Sequence, residues 1–72
     1  MNNLLNEAKL IIATNRTEKA HRDFMTTEQR TAIAEDYASQ KHFLSAAHFT
    51  PDADKRIEFE ELFQEYMRPK NN

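Results

Sequence analysis

The chain contains no glycine. That absence constrains the fold more than any motif does. Tight two-residue hairpins need positive φ at their centres, and glycine supplies it at the least steric cost. Valine is absent too, so four isoleucines are the only β-branched apolar residues available to a sheet. Ala, Glu, Lys, Gln, Arg and Leu are plentiful, and these lose little side-chain freedom in a helix. The expectation is an all-α fold: a small bundle of three main helices, with a fourth short one over residues 17–24 as an option. A length of 72 residues suits one domain, with residues 68–72 as a frayed tail.

The first helix starts near Asn2 or Asn3, either of which can cap it. Leu4, Leu5, Ala8, Ile11 and Ile12 then follow the spacing of one apolar face, while Leu10 lies off it beside Asn6. Asn15 is the natural left-handed residue to end this helix in a chain without glycine. Over residues 15–29 two readings stand. Thr17 caps a short helix through Phe24, or the first helix continues to about Arg22. Thr26 and Gln29 match a capping box, which opens the second main helix.

From there no breaker appears before Phe49. On one straight helix Ile33, Tyr37, Leu44 and Ala47 share a face, with Gln40 in its middle and Asp36 at its edge. Those polar residues need partners if buried, or the segment bends near Ala38–Gln40. Thr50-Pro51 marks the next boundary, with Thr50 as the expected cap and Pro51 at the first helical position. The third main helix then turns Phe59, Leu62, Phe63 and Tyr66 inward, with Met67 at the edge, and stops before Pro69.

The stretch PDADKRIEFEELF, residues 51–63, superficially resembles a calcium-binding loop. Such a loop needs oxygen ligands at its first, third, fifth and twelfth positions and glycine at the sixth. Counting from Asp52, Asp54 stands third, but the fifth residue is Arg56, the sixth Ile57 and the twelfth Phe63. The expectation is no calcium site, but an acidic helix start favoured by the helix dipole. His21, His42 and His48 form no i, i+4 pair, and cysteine is absent, so no metal or other cofactor is expected. Ser39 and Ser45 sit in no nucleophile motif, and no glycine-rich phosphate loop can form, so enzymatic activity is not expected.

Net charge is −2, which marks neither a strongly basic nucleic-acid binder nor a polyacidic chain. The apolar run Leu10–Ala13 is too short to span a membrane, and Asn2, Asn3 and Glu7 do not suit a signal-peptide start. The expected setting is cytoplasmic.

Two functional readings follow. Beyond Met1 the large apolar residues number eighteen, a thin core with nothing covalent to reinforce it. Leu10 and Ile57 lie off their main stripes, and the third helix is rich in aromatics. The first reading is therefore a small regulatory or adaptor protein that binds protein, as a homodimer, with Leu10, Ile57, Tyr66 and Met67 as contact residues. The alternative is a helix-turn-helix DNA binder over residues 30–48. Gln40, Lys41, His42 and Ser45 would face the major groove, with Arg30 and Lys41 near phosphates. Ala38 then stands where the turn glycine is usual, and the second helix carries no arginine.

Overall fold

A computed structural model describes residues 3–68 of the chain. Five helices follow one another: α1 (Asn3–Thr14), α2 (Glu18–Asp23), α3 (Thr27–Ser39), α4 (Phe43–Phe49) and α5 (Ala53–Met67), with no strand among the described residues. The fold is all-α. Asn2, the alternative first cap, and residues 69–72 of the expected frayed tail lie outside the described residues.

Local side-chain chemistry sets most of the helix ends. At the end of α1 the Thr14 hydroxyl donates to the Leu10 carbonyl at 2.9 Å and the Asn15 side-chain amide donates to the Ile11 carbonyl at 2.8 Å, which satisfies two of the last carbonyls. Asn15 thus caps with its side chain. It does not take the left-handed backbone expected of it, which among described non-glycine residues belongs to Lys41 alone. Thr17 accepts from the Ala20 amide at 3.1 Å, so α2 is a separate helix and α1 does not run on to Arg22. The capping box of α3 is complete, with Thr26 and Gln29 each accepting from the other's backbone. The Gln29 amide nitrogen also donates to Glu7 at 3.0 Å, tying that cap to α1.

The long apolar segment breaks after Ser39. Lys41 takes φ 64, its amide donates to the Ala38 carbonyl at 3.0 Å, and the His42 amide donates to the Tyr37 carbonyl at 2.9 Å. This pair of bonds is a Schellman motif, normally built on glycine at the residue Lys41 occupies. Its Cβ makes that backbone costly. Lys41→Gly is expected to raise stability by about 0.5–1 kcal/mol, read as a higher urea midpoint at unchanged slope. An unchanged or lower midpoint would show that the turn does not strain its backbone.

The break resets the apolar register. Leu44, expected inside, is 56 % exposed, while Phe43 is half-buried and Ala46, Ala47 and Phe49 are buried. The C-terminus of α4 is closed by Arg30, whose Nε donates to the Phe49 carbonyl at 3.0 Å and whose terminal nitrogen reaches the Thr50 carbonyl at 3.4 Å. A cation there satisfies orphan carbonyls and meets the negative end of the helix dipole.

The expected cap of the last helix is displaced by two residues. Asp52, not Thr50, caps α5, accepting from the Asp54 amide at 2.9 Å and the Lys55 amide at 3.4 Å. Thr50 is buried at the end of α4, and its hydroxyl accepts from the Asp52 amide at 3.3 Å. Pro51 therefore precedes the cap instead of opening the helix.

α1 packs on α3, α3 on α4, and α4 on α5, and the molecule extends 44 × 26 × 21 Å. α2 buries no residue fully. The core comprises Ala8, Met25, Ile33, Ala34, Ala46, Ala47, Phe49 and Phe59. Half of these are alanines, which let helices approach closely but bury little area. Ile33 is the one large side chain among the described residues that is sealed almost completely.

Candidate interaction surface

α5 has 15 residues and α4 has 7, so α5 is longer by about 12 Å at 1.5 Å per residue. Phe59 is buried, while Leu62 and Phe63 are half-buried. Tyr66, placed inward by the apolar stripe, is instead 59 % exposed, and Met67 is 61 % exposed. The Tyr66 ring meets Phe43 edge-on, with centroids 6.0 Å apart. Leu44 lines a groove with Glu60, on the side of α5 that also carries Phe63 and Met67. Phe43 and Tyr66 thus meet at the α4–α5 end, with Met67 exposed next to Tyr66 along α5.

Leu10 and Ile57 are exposed as well, but they do not extend this patch. Ile57 precedes Tyr66 by nine residues and Met67 by ten, about 13.5 and 15 Å along the axis, so it stands toward the other end of α5. Leu10 stands on α1, whose main packing partner is α3. Of the four expected contact residues, Tyr66 and Met67 are therefore neighbours at the end of α5, while Ile57 and Leu10 lie away from them.

The residues of the DNA reading are likewise separated. Gln40, Lys41 and His42 are exposed on the turn, and the Gln40 amide donates to Asp36 at 2.9 Å. Ser45 is half-buried and lines the groove between α2, α4 and α5. Arg30 is engaged at the opposite end of α4 from His42. Asp52, first in the calcium-like stretch, uses its carboxylate as the α5 cap, and no cluster of three potential metal ligands occurs among the described residues.

A cluster of rings that the spacing did not reveal centres on Phe49. Tyr37 stacks on it at 5.8 Å, His21 at 6.3 Å, and His48 meets it edge-on at 4.8 Å. His21 Nε2 lies 2.7 Å from the Asn15 carbonyl, which can only accept, so this nitrogen carries the hydrogen. His48 Nε2 is shielded from solvent with no hydrogen-bond partner among the described residues, and the Glu18 carboxylate stands 4.0 Å away.

Burial holds the His48 imidazole below its ordinary pKa of 6.5, against the opposing pull of Glu18 and with help from the nearby Arg22, His21 and Arg30. A depressed histidine pKa means that the unfolded chain takes up the proton first. The contribution of His48 to stability is complete above pH 6.5 and is lost as pH falls through that value toward the folded one. His48→Gln is expected to flatten the decline in urea midpoint between about pH 7 and pH 5 relative to the parent. An identical decline in both proteins would remove His48 as its source.

No helix among the described residues is long and apolar enough to cross a membrane. No family model, curated protein or solved structure matches the chain.

Proposed function

We propose that this protein acts by binding protein, as a small regulatory or adaptor component, and that it forms a homodimer through the α4–α5 end. The observation that carries the reading is the exposure of Tyr66 and Met67 on a helix that outruns its packing partner. A second copy can cover that end with the same patch, because a twofold contact uses one surface twice. Association would also reinforce a core in which Ile33 is the sole large side chain sealed among the described residues. We read the setting as cytoplasmic, which the cysteine-free composition accommodates.

Duplex DNA is not part of the proposal. Arg30 is engaged with the α4 carbonyls, and α4 itself carries no Lys or Arg. The test is sedimentation equilibrium of the chain across a hundredfold range of concentration. A mass that rises from one copy to two supports the reading, and one monomeric mass throughout overturns the homodimer.

A further inference from the structure

A groove of about 550 Å³ runs between the N-terminal half of α1 and the outer face of α3, well separated in sequence from the α4–α5 end. Its floor is small, with Thr31 and Ala32 on α3. Leu4 and Leu5 form an apolar ledge along one side. Glu28 and Glu35 also line it, seven residues or two turns apart on α3, about 10.5 Å along the axis. Asp36 adds a third carboxylate, which accepts from Gln40.

No Lys or Arg lines this groove among the described residues. The ion pairs present among them join Lys19 to Asp23 and Lys55 to Glu58, and Glu18 lies 4.0 Å from the His48 ring, so Glu28 and Glu35 stand outside all of these contacts. Glu35 also borders a neighbouring groove that Lys55 lines, and Lys55 is itself paired with Glu58. The α1–α3 groove combines an apolar wall with three carboxylates and no cation in its own lining.

We propose that this groove receives a cationic amphipathic helix of a partner protein. Lys or Arg side chains two turns apart on that helix would meet Glu28 and Glu35. Apolar residues between them would lie against Leu4, Leu5 and Ala32. Small floor residues let helix axes come within the usual 8–10 Å, and a straight α3 offers the same rise per residue as its guest. Opposite charge at the rim sets register and speeds encounter, while like charge rejects anionic partners. The chain's own α2 does not fit the role. It has six residues, its Lys19 and Arg22 are three apart, and Lys19 is already paired with Asp23. The guest is therefore a different protein, and the proposal stands independently of the homodimer.

The test uses fluorescence anisotropy with a labelled helical peptide that carries lysine at two-turn spacing and leucine between. Its counterpart has glutamate in place of lysine. The lysine peptide is expected to bind and the glutamate peptide not to bind. Glu28→Gln with Glu35→Gln is expected to weaken binding several-fold, and Glu28→Lys with Glu35→Lys by more than tenfold. Glu61→Lys with Glu65→Lys on α5 changes net charge equally and is expected to leave affinity near that of the parent. Met67→Glu is expected to leave it near the parent as well, which separates this groove from self-association. Both glutamates are exposed, and circular dichroism checks that each variant is folded; the glutamine pair carries the test if the lysine pair is not. Absence of binding by the lysine peptide overturns the proposal. So does an equal loss from the α5 pair, which would reduce the effect to net charge.

Discussion

Phe49→Ala is expected to be severely destabilising and to lower the melting temperature by more than about 10 °C. Phe49 is 5 % exposed and is the one ring that Tyr37, His21 and His48 all touch. It therefore ties α3 and α2 to the end of α4. Removing a buried phenyl ring costs about 3–5 kcal/mol, because the lost transfer energy adds to that of the cavity left behind. A domain of 72 residues has roughly 4–11 kcal/mol of stability in total, at 0.05–0.15 per residue. The substitution thus removes from about a quarter to all of it. Phe49→Leu keeps most of the volume and should remain folded with a lower melting temperature. Far-ultraviolet circular dichroism during thermal melting measures both. A cooperative melt for Phe49→Ala within a few degrees of the parent would mean that the ring cluster does not hold these helices together.

Met67→Glu is expected to convert the proposed dimer to monomer. Burying a methionine side chain is worth at least about 1.5 kcal/mol, and a twofold contact loses each side chain twice. The cost is then about 3 kcal/mol, more than a hundredfold in dissociation constant, before any cost of burying the new charge. Tyr66→Glu should act in the same direction. Ile57→Glu and Leu10→Glu serve as controls, since Ile57 stands about 15 Å from Met67 along α5 and Leu10 stands on α1. Sedimentation equilibrium of the four variants decides the matter. If Ile57→Glu dissociates the dimer while Met67→Glu does not, the contact uses the N-terminal part of α5 and the α4–α5 end is not the interface.

Features governed by neighbours a few residues apart were legible in the sequence. The lack of glycine and valine, with abundant helix formers, points to helices alone. The Thr26–Gln29 box and the Thr17 cap needed only an oxygen three residues ahead of an unpaired amide, and both form. The polar run around Gln40 offered a bend as one of two outcomes, and the chain does turn there. Leu5, Ala8, Ile11 and Ile12 on α1 and Phe59 on α5 pack where their periodicity places them.

What the tertiary structure decided depends on groups far apart in the chain. Thr50 and Asp52 are both competent caps; burial of Thr50 at the end of α4 leaves the cap to Asp52. Arg30 reads as a free surface cation until Phe49 and Thr50 bring their carbonyls to it from nineteen and twenty residues away. Tyr66 belongs to the apolar stripe of α5 by spacing, yet it is exposed because α4 ends its coverage short. The rings of Phe49, Tyr37, His21 and His48 come from three helices, and the α1–α3 groove from two. Helical periodicity states which way a side chain points along its own axis. Whether anything stands opposite it depends on the lengths and crossings of the other helices, and burial, ring contacts and grooves exist only once those are set.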